Sequence, residues 1–124
     1  MRTLPALLAS ALAAAAFAAP VQAAPVDAIG TLAIGIFVCE LPGDGLGPAG
    51  LAQPDAGFAI LNASAYRTDA GAGSYLLVGD IVSFISGPRQ GEKYRRVSGN
   101  FLRRLGPDGS DGPMRCVRRN RNNR

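Results

Sequence analysis

Two cysteines, Cys39 and Cys116, are the only ones in the chain, and they stand 77 residues apart with nearly all of the foldable sequence between them. What they can do depends on where the chain goes. Met1-Arg2 gives a short positive start, and Leu4 to Ala19 is an uncharged apolar run. Pro20-Val21-Gln22-Ala23 then places small residues at the two positions that a signal peptidase reads before a cut after Ala23. Residues 1–23 therefore read as a cleaved helical signal peptide. A transmembrane anchor fits less well, because the run is mostly alanine and no basic stop-transfer cluster follows it. No cysteine sits at the cleavage point to carry a lipid. The mature protein is expected in the periplasm or outside the cell, where an oxidising milieu makes Cys39–Cys116 a disulfide. Two cysteines allow one intramolecular connectivity. Closing so long a loop is worth roughly 4 kcal/mol by the chain-entropy argument. A redox-active pair would sit close in sequence, as in Cys-x-x-Cys.

The roughly 100 residues left after cleavage make one domain at most, taken as 24–118 with a basic disordered tail over 119–124. Glycine (16 residues) and proline (9 residues) recur too often for any convincing helical period. Short β-rich runs lie between them: 34–41, 58–62, 65–67, 74–78, 81–86, 93–97, 100–105 and 114–118. Gly79-Asp80 and Ser98-Gly99 are hairpin-sized connections, and Pro107 to Pro113 is strongly turn-forming. The fold class expected is all-β, a small antiparallel barrel or sandwich of about seven to eight short strands. The runs 74–78 and 81–85 are apolar on both faces, which predicts packing on both sides rather than a ligand groove.

Charge is split unevenly along the mature chain. Between Ala24 and Pro88, Arg67 is the one basic residue, against Asp27, Glu40, Asp44, Asp55, Asp69 and Asp80. From Arg89 onward, basic residues dominate, opposed by Glu92, Asp108 and Asp111 alone. Arg95, Arg96, Arg103, Arg104, Arg118, Arg119, Arg121 and Arg124 are the candidate contacts for an anionic envelope polymer or lipid. The plainer reading is a solvated face with a solubilising tail. Nucleic acid is not an expected partner, since Tyr94 and Phe101 are the only aromatic residues near these arginines.

Catalysis is constrained by what the chain lacks. With no histidine, Ser-His-Asp and Cys-His arrangements and most zinc sites are excluded. A carboxylate pair drawn from Glu40, Asp44, Asp69, Asp80 and Glu92 is the remaining enzymatic possibility. No nucleophile–base pair can be named, so no enzyme, metal or cofactor is expected. Gly45-Leu46-Gly47-Pro48-Ala49-Gly50 fits a dinucleotide fingerprint in spacing only, because 51–57 will not supply the required helix. Asp108 to Gly112 lacks the ligand alternation of a calcium loop and reads as a turn. Asn62-Ala63-Ser64 is a glycosylation sequon by pattern.

Gly35-Ile36-Phe37-Val38-Cys39 reads G-x-[YF]-x-C, and Gly73 to Gly91 reads G-x-Y-x3-G-D-x-V-x-F-x-S-G-P-x2-G. Together these resemble a loose group of small exported bacterial domains of uncharacterised function. The resemblance implies a β-barrel-like core with a cysteine near each end, and it implies compartment more than activity. Some members of that group are labelled elongation factor P. That label finds no support here: the chain is too short for that factor's several β-domains, and its single lysine, Lys93, lies in no recognisable modification loop. A second similarity is to periplasmic lysozyme inhibitors, which are small disulfide-closed barrels that insert a Ser- and Lys-bearing loop into the lysozyme cleft. Ser86, Arg89 and Lys93 would form the analogous loop, although the proline and the Ser-to-Lys spacing depart from that family's pattern. The expected function is an exported non-catalytic envelope or binding module, monomeric or weakly self-associating, with an inhibitor of an envelope-targeting hydrolase as the alternative.

Overall fold

Strand β2 (Gly35–Pro42) shows the rule that organises the molecule. Phe37 and Cys39 point inward and are buried, while the intervening Ile36 and Val38 face out, the period-two alternation of a sheet with one packed face. The computed structural model describes residues 3, 13–16, 28–47 and 49–119. The remaining elements are β1 (Ile29–Gly30), β3 (Gly50–Ala52), a 3-10 turn (Pro54–Ala56), β4 (Phe58–Ile60), β5 (Ala65–Thr68), β6 (Gly71–Val78), β7 (Ile81–Phe84), β8 (Lys93–Ser98), β9 (Phe101–Leu105) and β10 (Asp111–Arg118).

Every pairing is antiparallel. The strands β4 to β10 follow one another as neighbours, and β2 fills the gap between β4 and β10. Eight strands thus close an up-and-down barrel with β1 and β3 added, and closure removes the exposed sheet edges of an open sandwich. Strand β1 pairs with β6 at Leu77 and Val78, beyond the point where β5 ends opposite Ser74. Strands β3 and β4 both pair with β2, in registers offset by three residues, and the three-residue 3-10 turn absorbs the difference.

Cys39 and Cys116 are direct cross-strand partners on β2 and β10, with Cα atoms 4.0 Å apart and a disulfide between them. The Cys39 carbonyl accepts from the Gln53 N–H on the opposite edge of β2, so the cysteines occupy a non-hydrogen-bonded site, where side chains approach most closely. The bridge seals the seam between the first and last barrel strands, from the core side. It is compatible with an exported chain. The Arg119 N–H continues the same ladder by donating to the Ile36 carbonyl at 2.7 Å.

The interior is filled by side chains. Phe37, Phe58, Tyr66, Tyr75, Phe84 and Tyr94 are all buried. Phe37 stacks on Phe58 and Tyr66 on Phe84, while Phe58 meets the Phe84 ring edge-on. Leu32, itself buried, packs with this core, and its N–H donates to the Tyr75 hydroxyl. That hydroxyl donates in turn to the Asn62 carbonyl. Backbone meets backbone where β6 passes the loop after β7: a Cβ on Gly73 would lie 2.2 Å from the Ser86 carbonyl oxygen. Gly79, at φ 58°, makes the β6–β7 turn.

Several sequence expectations differ from this structure. Strand β10 starts at Asp111 rather than Met114, because Gly112 and Pro113 lie in a register shift that accommodates a proline within a ladder. The β8–β9 connection is Gly99-Asn100 rather than Ser98-Gly99. Strands β1 and β3 were not expected. Packing on both faces of β6 and β7 does not occur: Tyr75, Leu77, Val82 and Phe84 are buried, but Leu76, Ile81 and Ile85 are exposed. The signal peptide read over 1–23 lies outside the described residues except at 3 and 13–16. Residues 120–124, including Arg121 and Arg124, also lie outside them.

The seam yields a direct test. Replacing Cys39 and Cys116 together by Ala should lower unfolding free energy by roughly 4 kcal/mol while the far-ultraviolet circular dichroism stays that of a sheet. Denaturant melts of the oxidised wild type and the double variant provide the measurement, and equal midpoints would contradict a stabilising staple.

Candidate functional site

Successive residues in a strand point to opposite faces, so the two Arg-Arg pairs cannot act as blocks. In the pairing register, Ile81, Arg95, Arg103, Arg115 and Glu40 form one row across β7, β8, β9, β10 and β2 on the outer wall. Three arginines thus stand directly opposite one another, an arrangement that costs stability unless the charges are balanced. Asp111 accepts from Arg95 Nε at 2.9 Å and Nη2 at 2.6 Å. Glu40 Oε1 accepts from Arg115 Nε at 2.6 Å. The hydrogen bond from Arg95 holds the exposed Asp111 carboxyl below the usual carboxylate range, and the same pairing raises Arg95. The middle member, Arg103, has no ion-pair partner among the described residues. Its guanidinium lies 5.6 Å from the Phe101 ring centroid.

Beside this row runs an apolar one. Phe101, Val117 and Val38 are successive cross-strand partners on β9, β10 and β2, with Val97 exposed at the adjoining β8 irregularity and Ile36 exposed two residues before Val38. Ile36, Val38 and Ala59 continue into an outer groove of about 540 Å³ bounded by Arg67, Pro54 and Pro88. The arginine row and the apolar row form one amphiphilic wall.

The other predicted arginines have structural tasks. Arg104 shares the face of Tyr94, not of Arg103, and its Nη2 lies 3.2 Å from Glu92 Oε1. Glu92 Oε2 accepts from the Tyr94 hydroxyl at 3.1 Å. Burial first, and the Glu92 charge second, push the Tyr94 phenol well above the ordinary tyrosine range. Arg96 shares the face of buried Leu102 and sits 3.6 Å from Asp80. Arg118 donates to Asn100 Oδ1 at 2.7 Å and to the Ile34 carbonyl at 3.2 Å. Arg119, the last described residue, is exposed.

Ser86, Arg89 and Lys93 do not come together as one presented loop. The Ser86 hydroxyl accepts from the Ser74 N–H at 2.9 Å, and its carbonyl accepts from the Tyr66 hydroxyl at 2.7 Å. Arg89 turns inward and donates to the carbonyls of Asp55, Ala56 and Gly57, the last at 2.7 Å. Its N–H donates to the Tyr66 hydroxyl at 3.1 Å. Lys93 is exposed opposite Ser83 on the outer wall. This arginine staple on the 3-10 turn is the principal feature that sequence reasoning missed.

Four of the five carboxylates considered for catalysis have separate partners, Glu40 with Arg115, Asp80 with Arg96, Glu92 with Arg104, and Asp44 Oδ1 with the Leu46 N–H, while Asp69 stands exposed in the β5–β6 turn. Asp108 accepts from the Ser110 N–H and hydroxyl within its turn, which lowers its pKa. Among the described residues, no three His, Cys, Asp or Glu side chains cluster as metal ligands, and no helix is long and apolar enough to cross a membrane. Comparison with protein-family models, curated proteins and solved structures finds no significant match to this chain.

Two measurements check the end of the barrel that holds Arg89 and Tyr94. Arg89→Ala should cost about 2–3 kcal/mol, since three carbonyls lose a charged donor, whereas Lys93→Ala should cost under about 0.5 kcal/mol. For Tyr94, folding favours the neutral phenol, so its stabilisation is complete below about pH 10, the unfolded value, and is lost as pH climbs toward the higher folded value. Alkaline titration should therefore show a Tyr94-dependent loss of stability beginning near pH 10, and Tyr94→Phe should move the unfolding midpoint to higher pH.

Proposed function

We propose that this protein is an exported, non-catalytic binding module that contacts anionic envelope material through the outer wall formed by β8, β9 and β10. The carrying observation is the row Arg95–Arg103–Arg115, in which three cations face one another and Arg103 forms no ion pair among the described residues, reaching the Asp111 carboxylate only at longer range. Asp111 and Glu40 balance two of the three arginines, and an anion placed over Arg103 would complete the compensation that facing like charges require. The interior supports the same assignment by elimination, because aromatic side chains fill the barrel and leave the outer surface for contact. The resemblance to small exported bacterial barrel domains fits this reading of compartment and architecture. Neighbouring Arg104, Arg96 and Arg118 serve the wall indirectly by holding its strands in register.

Binding of the mature chain to immobilised dextran sulfate tests the assignment. Retention should fall steeply with salt, and Arg103→Gln should weaken binding roughly five-fold, about 1 kcal/mol for one basic side chain at an anionic surface. Removal of residues 120–124 should leave the Arg103 dependence in place. Salt-insensitive retention, or an Arg103→Gln variant that binds as the wild type does, would contradict the reading.

A further inference from the structure

We infer that the anionic partner is a phospholipid bilayer surface, on which the β9–β10–β2 wall docks with its arginine row at the phosphates and its apolar row in the acyl boundary. This inference rests on the anionic-contact reading above and adds the class of the partner. A soluble polyanion would engage Arg103, with Arg95 and Arg115 beside it already paired to Asp111 and Glu40, but would gain nothing from Phe101, Val117, Val38 and Ile36. Phe101, Val117 and Val38 lie one register step from the arginines on the same outer face, and Ile36 lies one step beyond Val38. Ile36 is 51% exposed and Val38 40%, while Phe101 and Val117 are half-buried. An interfacial membrane has the matching stratification, anionic phosphate above hydrocarbon, on the scale of the roughly 7 Å that two residues of a strand span.

The two contributions need each other. A few half-exposed apolar side chains bind a membrane marginally, as does a small basic patch alone, and stable attachment takes both. Phe101 sits at their junction, its ring beneath the Arg103 guanidinium, so the cation can reach headgroup phosphate while the ring stays against apolar surface. The groove floored by Ile36, Val38 and Ala59, at about 540 Å³, falls within the usual range of ligand clefts and gives an acyl segment a place beside the wall. Arg67 at its rim is offset by Asp55 and Asp69 on the same lining, so the groove's contribution is its apolar floor. A second copy of this chain is a poorer occupant. A two-fold contact through this face would set one arginine row against its own image.

Co-sedimentation of the mature protein with vesicles of phosphatidylglycerol and phosphatidylcholine, against vesicles of phosphatidylcholine alone, is the test, with soluble dextran sulfate as the comparator. The wild type should bind the anionic vesicles and not the zwitterionic ones. The double variant Ile36→Ser/Val38→Ser, altered only at exposed positions, should lose roughly ten-fold in vesicle binding while its dextran sulfate affinity stays within about two-fold. The chain contains no tryptophan, so Val38→Trp gives a single reporter, whose fluorescence brominated phosphatidylglycerol should quench. Unchanged vesicle binding by the Ser variant, no quenching of the Trp variant, or equal binding to both vesicle types overturns membrane docking. If wild-type dextran sulfate binding persists in those cases, the anionic-contact reading stands. If neither vesicles nor dextran sulfate bind, that reading falls as well.

Discussion

The pairing of β2 with β10 is the constraint on which the rest depends. Each of the other barrel contacts joins strands that are close in sequence, but this one brings together segments nearly a whole domain apart. Until it forms, β2 and β10 are open edges, and β2 presents the apolar run Ile36 to Val38 as a template for another chain. Closure converts that hazard into a continuous ladder. It also creates the outer wall, since Val38 and Val117 become neighbours only across this seam. Because loop-closure entropy must be met before the contact is gained, seam formation should be a late, slow event in folding.

Closure leaves an interior too narrow for anything but side chains, and the chain fills it with rings that carry polar tips. Each of the three tyrosines finds a partner for its hydroxyl: Ser86 for Tyr66, Asn62 for Tyr75 and Glu92 for Tyr94. No buried side-chain polar atom among the described residues is left without one. These hydroxyls tie the β4–β5 and β7–β8 loops to the core, so the loops serve as stoppers instead of presented recognition segments. That is why Arg89, which sequence alone offers as a docking residue, is spent on three backbone carbonyls.

The fold was largely legible because its determinants are local. Gly79-Asp80 marks the β6–β7 hairpin, and Phe37, Phe58, Tyr66, Phe84 and Tyr94 sit at strand positions of the inward parity. Strands β1 and β3 were not legible, being two and three residues long and existing only where β6 and β2 have unpaired stretches of edge. Proline at 113 masked the start of β10, because the bulge that tolerates it depends on its partner strand. The candidate wall was half legible. Parity alone separates Arg95 from Arg96 and Arg103 from Arg104, and that signal was available in the adjacent pairs. The alignment of Arg95, Arg103 and Arg115 was not, since it requires the registers of two ladders.

The strict inside–outside alternation of β2 carries a consequence for how such a chain can change over time. Odd positions 37 and 39 answer to the core and the disulfide, position 40 to its ion pair with Arg115, and even positions 36 and 38 to the outer surface. The two sets are interleaved in one strand yet meet separate physical demands. Descendants of this barrel can exchange one surface chemistry for another by substitution at positions 36 and 38, and the buried face would register none of it.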